Sequence, residues 1–159
     1  MDQQVIKSSK KAPELVDLGR VGRVTQINPE VIEEIEDGFF IPVVAPVGVS
    51  ENGESLNINA DLAASAMAGA LKAEKLILMT DVSGVKDSAG KLISQINASE
   101  INGLINKGVV TGGMIPKLTC ALEALNAGVM SAHIIDGRVQ HALLLEIFTD
   151  GGVGTLIQS

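Results

Sequence analysis

Aromatic residues are scarce in this sequence: its 159 residues include no Trp, no Tyr and only three Phe. The core is therefore expected to be aliphatic. Proteins that read single-stranded nucleic acids stack bases on aromatic side chains, so the scarcity argues against that class. Basic residues are also few, with 12 Lys and Arg against 19 Asp and Glu and a net charge of −7. We therefore expect no nucleic-acid partner, although a few donors can still build a local anion site.

Cysteine and histidine are equally rare. A single cysteine, Cys120, excludes an internal disulfide framework and a cysteine-based zinc site. The two histidines, His133 and His141, lack acidic neighbours at ligand spacing in the sequence, so we expect no metal held by the protein.

Export and membrane signals are missing as well. The first residues, "MDQQVIKSSKKAPE", contain no apolar core of a signal peptide. No apolar run reaches the roughly 18 residues that a transmembrane helix needs. The expected location is the cytoplasm, with an organelle of a plastid-bearing host left open, and no membrane partner is expected.

The apolar pattern predicts one α/β domain over residues 14–159, after a polar tail over residues 1–13. Runs such as "KLILMT" and "AHIID" have the length of strands, and Ala-rich or Leu-rich stretches between them predict helices. Because strands that alternate with helices need crossover connections, we expect a three-layer αβα fold with a mainly parallel sheet.

The first third of the chain contains three further signals. "NPEVIEEIEDG" predicts a short helix that Asn28 caps. The continuous apolar run "FFIPVVAPVGV" predicts a strand buried on both faces. The pair Asn52-Gly53, between two extended runs, predicts a hairpin turn.

The loop after "LILMT" is a candidate ligand site, because ligands bind beyond the carboxyl ends of parallel strands. Asp81 and Ser83 offer side-chain oxygens, and Gly84 would let the backbone approach a ligand closely. The same residue types are common in ordinary strand-to-loop turns, so the pattern alone leaves both interpretations open.

A second candidate is "GVVTGGMIPK", where Gly112-Gly113 precedes a helix whose first turn contains Lys117. Free backbone amides and a cation at a helix N-terminus together form an anion site. The spacing is not that of a P-loop. A solvated surface lysine beside a flexible loop remains the alternative.

The stretch "NINADLAASAMAGAL" places three polar residues, Asn57, Asn59 and Asp61, in front of a helix rich in small residues. One of them suffices to cap the helix. The negative charge of Asp61, in the first turn, would also be stabilised by the helix dipole. The excess indicates a further role, for example that Asp61 orients a lysine, for which Lys117 is the candidate. The small residues would let this helix lie close to the sheet.

Several of these motifs together resemble the C-terminal half of acetylglutamate kinases, which belong to the amino acid kinase family. The resemblance runs from about Leu15 to Ile157 and is carried by "NINADLAA", "LILMTDVSGV", "GVVTGGMIPK", "AHIIDGR" and "LLLEIFTDGGVGT". It implies direct, in-line phosphorylation of the side-chain carboxylate of N-acetyl-L-glutamate by ATP, in arginine biosynthesis. Mg²⁺ would be carried by the ATP phosphates.

The resemblance also implies roles for individual residues. Asn57 would contact the substrate, Asp61 would organise the catalytic lysines, and Lys117 would stabilise the transferring phosphoryl group. The implied nucleotide-binding residues lie in two loops and are Thr80, Asp81, Val82, Ser83, Gly84, Val85, Lys86, Val109, Val110, Thr111, Gly113 and Met114.

Regulation is implied by the same resemblance. Lys107, His133, Glu146 and Gly152 lie where arginine-inhibited members bind arginine as a feedback inhibitor. The implied protein partners are a separate N-terminal half, further copies in a homo-oligomer, and the PII nitrogen-signalling protein.

Acetylglutamate kinases are nearly twice as long as this sequence. Their N-terminal half supplies a glycine-rich phosphate loop, a second catalytic lysine and an arginine that holds the substrate carboxylate. We therefore expect this chain to act as the ATP-binding half of a kinase. A non-catalytic module that binds nucleotide or arginine is the alternative, and a sibling kinase acting on aspartate, glutamate, carbamate or UMP is another.

Overall fold

The chain forms two compact units, Met1–Ala63 and Ala64–Ser159. The computed structural model describes residues 3–6, 14–17 and 19–159, the first two ranges as strands. Within the described residues no helix is long and apolar enough to cross a membrane.

The first unit is built mainly from short strands. In chain order they are β1 (Gln3–Ile6), β2 (Glu14–Asp17), β3 (Val21–Gly22), β4 (Val47–Val49) and β5 (Ser55–Ile58). Strands β1 and β2 pair antiparallel, so the predicted polar tail contains a strand, and its remaining residues lie outside the described part. Strand β5 pairs with β3 in parallel and with β4 antiparallel. Gly53 adopts φ +79° in the β4–β5 turn, which confirms the predicted hairpin.

Helix α1 (Glu30–Asp37) also confirms its prediction. The Asn28 carboxamide oxygen accepts a hydrogen bond from the Glu30 amide at 3.2 Å, as a capping residue does. Ile32 is the buried residue of this helix, and its other apolar side chains, Val31 and Ile35, are exposed.

The prediction of a strand buried on both faces at "FFIPVVAPVGV" is wrong. Only Val47–Val49 forms a strand, and the apolar side chains before it are exposed, at 99% for Phe39 and 94% for Val43. The pattern reports side chains that favour burial, whereas actual burial needs a covering element, which the described residues do not supply.

Helix α2 (Ala60–Ala70) is the predicted helix of small residues. That its small residues bring it close to the sheet stays a prediction. The structure shows close contacts with the helix that follows later in the chain. The Ser65 hydroxyl donates to the Cys120 carbonyl oxygen at 2.8 Å. A Cβ on Gly69 would lie 2.6 Å from Cβ of Ala127, so this approach requires glycine.

The second unit contains a four-stranded sheet with the order β6-β8-β9-β7. Its strands are β6 (Lys75–Thr80), β7 (Gln95–Asn97), β8 (Ser131–Asp136) and β9 (Thr155–Gln158). The β6–β8 and β7–β9 pairs are parallel and the β8–β9 pair is antiparallel, so this sheet is mainly parallel. The α/β fold class is confirmed. Strand β7 was not predicted, because its three residues are too few to show a pattern.

The helices of this unit cover the sheet. They are α3 (Ile101–Asn106), which follows a 3-10 turn at Ala98–Glu100, α4 (Met114–Asn126) and α5 (Ala142–Phe148). Helix α4 packs against β8 and β6, and α5 contacts β8. Successive residues of β8 are buried, so both faces of this strand are covered. The largest fully buried side chains are Ile96, Ile101, Leu118, Ile134, Ile135 and Ile157.

Candidate functional site

A pocket of about 450 Å³ lies in the second unit, at the carboxyl end of β6. It is lined by the loop that follows β6 and by the segment that leads into α4. The lining residues are Thr80, Asp81, Val82, Gly84, Val85, Lys86, Val109, Val110, Thr111, Gly113, Met114 and Lys117. The structure thus brings together every nucleotide-binding residue implied by the resemblance except Ser83, and adds Lys117.

One wall of the pocket is fixed by a buried threonine on β9. The Thr155 hydroxyl accepts a hydrogen bond from the Val85 amide at 2.9 Å and donates one to the Ile93 carbonyl at 2.7 Å. Gly84 has φ +130°, and a Cβ there would lie 2.7 Å from the Thr155 hydroxyl oxygen. The loop conformation therefore requires a glycine at position 84 and a hydroxyl at position 155.

Another part of the pocket lining is the N-terminus of α4. Gly113 occupies the N-cap position, and no side chain caps the helix. A Cβ on Gly112 or Gly113 would meet nothing within 4 Å, so the backbone there is open to a ligand. The first amides of a helix point outward and carry partial positive charge. Together with Lys117, which lies one turn further on, they form a site suited to anionic groups.

A tight turn after β8 is joined to the end of β6, which leads into the pocket. The Gly137 amide donates to the carbonyl oxygen of Thr80 at 2.8 Å, which joins the turn to the end of β6. The Asp136 carboxylate accepts hydrogen bonds from the Arg138 guanidinium at 2.9 and 2.8 Å and from its backbone amide at 3.0 Å. The guanidinium hydrogen bonds, followed by the amide, lower the pKa of Asp136 to about 2. The charge of Asp81 contributes to a raised pKa of Arg138, after the larger effect of Asp136.

The polar residues before α2 belong to the first unit. Asn59 is the capping residue, since its side-chain oxygen accepts hydrogen bonds from the Asp61 and Leu62 amides at 3.0 and 3.2 Å. Asn57 lies exposed on β5, and its amide donates to the Arg20 carbonyl at 2.7 Å. The substrate contact of Asn57 and the orienting role of Asp61 toward Lys117 stay predictions.

A second polar cluster joins β8 and α5 in the second unit. His133 Nδ1 lies 2.8 Å from Glu146 Oε1, and the other carboxylate oxygen accepts the Val153 amide at 2.6 Å. Burial, the largest influence, raises the pKa of Glu146, but the hydrogen bonds from His133 and Val153 outweigh it and the net pKa is lowered. A Cβ on Gly152 would lie 2.8 Å from Glu146 Oε2.

Three of the four residues implied for arginine are thus neighbours: His133, Glu146 and Gly152. Lys107 is not part of this cluster. It follows α3, is exposed, and its ammonium group forms no hydrogen bond or ion pair with the described residues. In the part of the chain that the structure describes, no group of three or more His, Cys, Asp or Glu is arranged to hold a metal ion.

No role was predicted for Thr155, Asp136 or Arg138, although each lies in a motif that carried the resemblance. The tripeptide Asp-Gly-Arg after an apolar strand is typical of a turn in which the Asp side chain bonds the backbone two residues further on. Thr155 gave no local signal, because its partners are 70 and 62 residues away in sequence.

An α/β unit with an uncapped helix N-terminus, a lysine and two glycine-containing loops around one pocket is an arrangement suited to anionic ligands. The family model of the amino acid kinase family matches residues 1–136, and the chain belongs to that family.

Two curated relatives are acetylglutamate kinases. The chain is 58% identical over 156 residues to that of Geobacter sp. (strain M21), covering 98% of this chain and 53% of the relative. It is 60% identical over 154 residues to that of Geobacter sulfurreducens, covering 97% of this chain and 53% of the relative. The chain therefore spans about half the length of the curated relatives it matches.

A solved structure also matches the fold. N-acetylglutamate synthase from Neisseria gonorrhoeae, complexed with coenzyme A and L-arginine, superposes with a TM-score of 0.83 at 26% identity. The match covers 98% of this chain and 35% of the synthase.

Proposed function

We propose that this chain is the ATP-binding half of an enzyme that phosphorylates the side-chain carboxylate of N-acetyl-L-glutamate. The observation that carries the proposal is the composition of the pocket, since every residue that lines it is one that the resemblance implies for ATP or for catalysis. The identity of 58% and 60% to acetylglutamate kinases supports the choice of substrate.

The pocket is suited to a nucleotide in size and chemistry. Its volume of about 450 Å³ falls within the range of roughly 300–1,000 Å³ that small-molecule sites occupy. The open amides at Gly112 and Gly113 and the Lys117 ammonium suit the phosphates. Val82 and Met114 offer apolar surface for the base. Mg²⁺ would be held by the phosphates of ATP.

Bound ATP supplies the phosphoryl group that is transferred to the carboxylate. Such a transfer needs little covalent chemistry from the protein, so positioning and charge stabilisation dominate. Lys117, on a rigid helix, is proposed to neutralise charge on the transferring group, and Asp61 to orient it. Because the chain spans about half of the relatives' length, turnover is expected only when the remaining half is present.

Calorimetric titration with ATP and Mg²⁺ tests the nucleotide role on this chain alone. Lys117→Ala should weaken the affinity for ATP at least tenfold, since it removes the cation at the helix N-terminus. Lys91→Ala is the matched control, because Lys91 is exposed and outside the pocket lining. Equal affinities of the two variants contradict the proposal.

The substrate choice is tested separately, with the remaining half of a relative added. Phosphorylation of acetylglutamate should exceed that of aspartate, glutamate, carbamate and UMP. Preferred phosphorylation of a different acceptor would contradict acetylglutamate as the substrate and would leave the proposed nucleotide role unaffected.

A second function, binding of arginine, is favoured by the His133–Glu146 cluster, whose side chains are 10% and 5% exposed. A buried carboxylate that is hydrogen-bonded to a histidine and an amide can bind a cationic guanidinium if the histidine side chain moves away from it. Titration with arginine should give a binding signal that Glu146→Gln abolishes. Glu123→Gln, on the exposed side of α4, should retain it.

A further inference from the structure

The turn that follows β8 carries an arginine, Arg138, and lies beside the loop that begins the pocket. Asp136, the last residue of β8, is paired in parallel register with Thr80, which ends β6 and lines the pocket. The Gly137 amide donates a hydrogen bond to the Thr80 carbonyl oxygen at 2.8 Å. The turn is therefore attached to the point where the chain leaves the sheet and enters the pocket lining.

The guanidinium of Arg138 is held in one orientation by Asp136. Its Nε and Nη2 atoms donate to the two carboxylate oxygens at 2.9 and 2.8 Å, and the Arg138 amide donates to one of these oxygens at 3.0 Å. The side chain of Asp136 is 12% exposed, whereas that of Arg138 is 68% exposed. A contact with two parallel hydrogen bonds fixes the plane of a guanidinium. The buried carboxylate thus supports a cation that faces the solvent.

The pocket lining includes a carboxylate, that of Asp81, which directly follows Thr80. The Thr80 hydroxyl donates a hydrogen bond to it at 3.4 Å. In the part of the chain that the structure describes, Asp81 forms no ion pair. A carboxylate at such a place opposes the binding of phosphate groups, because like charges repel one another. A pocket suited to anions therefore needs a cation that offsets the charge of Asp81.

Arg138 has the free hydrogen-bonding capacity for this role. Among the described residues its only ion-pair partner is Asp136, and its Nη1 atom donates no hydrogen bond to them. The hydrogen bonds and the charge of Asp136 are the main causes of the raised pKa of Arg138, and the charge of Asp81 raises it further. Arg138 and Asp81 thus interact electrostatically without a direct contact.

We propose that Arg138 is a positioning residue of the nucleotide site, which acts through Asp81. Held by Asp136, its guanidinium offsets the negative charge of Asp81, so that this carboxylate can line the pocket without repelling the phosphates of a nucleotide. The proposal rests on the proposed function, in which the pocket binds ATP. The turn, Asp81 and the pocket all belong to the second unit, so the full chain by itself is sufficient for the test.

Calorimetric titration of the full chain with ATP and Mg²⁺ measures the effect. Arg138→Gln should weaken the affinity for ATP about three- to tenfold, as expected for one unit charge that acts across several ångströms of partly aqueous surroundings. Lys75→Gln is the matched control. Lys75 forms an ion pair with Glu74 at 2.7 Å, at the opposite end of β6 from the pocket, so its removal should leave the affinity within about twofold of that of the parent chain.

Two further variants separate the charge of Arg138 from the structure of the turn. Asp136→Asn breaks the same ion pair but keeps the cation, so it should weaken ATP binding less than Arg138→Gln does. Arg138→Lys keeps the charge without the paired hydrogen bonds and should bind ATP more tightly than Arg138→Gln. If Arg138→Gln does not fold by circular dichroism, it is combined with Asp136→Asn, which leaves no buried charge unpaired, and the pair is compared with Asp136→Asn alone.

A double-mutant cycle tests whether Arg138 acts through Asp81. In the Asp81→Asn background, the effect of Arg138→Gln on ATP affinity should fall below about twofold, because the charge to be offset is gone. Salt gives a second test that requires no change at Asp81. At an ionic strength of 1 M the Debye length is about 3 Å, so the difference between Arg138→Gln and the parent chain should shrink to below about twofold as well. A purely steric role of the turn would not depend on salt in this way.

The outcomes separate this proposal from the proposed function. An unchanged ATP affinity of Arg138→Gln overturns the role of Arg138. So does a loss in Asp136→Asn that equals the loss in Arg138→Gln, or an effect that persists in the Asp81→Asn background or at high salt. The nucleotide role of the pocket is contradicted by a different result, equal ATP affinities of Lys117→Ala and Lys91→Ala. A chain that loses ATP affinity in Lys117→Ala and keeps it in Arg138→Gln retains the proposed function and refutes only the role of Arg138.

Discussion

Replacing Thr155 by valine tests the anchor of the nucleotide loop. The two side chains have nearly the same shape, and Thr155 is fully buried, so no cavity is created. The substitution leaves the amide of Val85, itself 1% exposed, without its acceptor. An unsatisfied buried donor costs about 1–3 kcal/mol. The Ile93 carbonyl is only part-buried and can turn to water, so its contribution should be smaller.

Two assays measure the effect. Urea unfolding should show a loss of about 1–3 kcal/mol in the free energy of unfolding, and each kcal/mol should lower Tm by about 2–4 °C for a chain of this length. Calorimetric titration should show weaker ATP binding, because the loop from residue 80 to residue 86 loses its attachment to β9.

The control is Thr149→Val. The Thr149 hydroxyl donates to the Leu145 carbonyl at 2.6 Å in an exposed position, so water can replace it. Its effect should remain within about 0.5 kcal/mol. If Thr155→Val is as stable as this control and binds ATP as tightly as the parent chain, the anchoring role is wrong.

Three further substitutions follow from the geometry. Gly84→Ala should reduce ATP affinity, since its Cβ would overlap the hydroxyl of Thr155. Gly90 also has a positive φ, +80° against +130° for Gly84, but a Cβ there meets nothing within 4 Å, so Gly90→Ala should bind ATP normally. The pKa of Asp136 is lowered to about 2 in the folded chain, so ionised Asp136 stabilises the fold above about pH 4, its unfolded pKa. This stabilisation is lost as the pH falls toward 2. Acid unfolding of Asp136→Asn, followed by circular dichroism, should therefore lack the loss of stability between about pH 4 and pH 2. Gly152→Ala, with φ +54° and a Cβ 2.8 Å from a carboxylate oxygen, should lower the free energy of unfolding by about 1–2 kcal/mol, and Gly151→Ala should change it little. No difference between the members of either glycine pair in its assay would contradict the steric explanation.

The pocket could be located from sequence because its main parts are local. Gly84 follows a strand, and Gly112, Gly113 and Lys117 open a helix, so each signal lies within a few residues. Thr155 could not be found in that way. Its role depends on β9 lying beside the loop, and this follows from the sheet order alone.

The segment from residue 39 to residue 49 is the case in which the sequence pattern led to a wrong prediction, that of a buried strand. Its residues favour burial, and the sequence pattern reports that preference correctly. Whether Val43 is buried depends on a neighbour that the pattern does not contain. Hydrophobicity therefore predicts where a chain prefers contact, and exposure in the structure shows which of those preferences the described residues leave unmet.

The position of β9 has a consequence for synthesis of the protein. The last strand in chain order lies inside its sheet, between β8 and β7. Until the ribosome has made residues 155–158, β7 has no partner in the sheet, and the nucleotide loop has no threonine to hold it. This unit therefore cannot complete its fold before β9 has been made, and a chain truncated before residue 155 should neither close its sheet nor bind ATP.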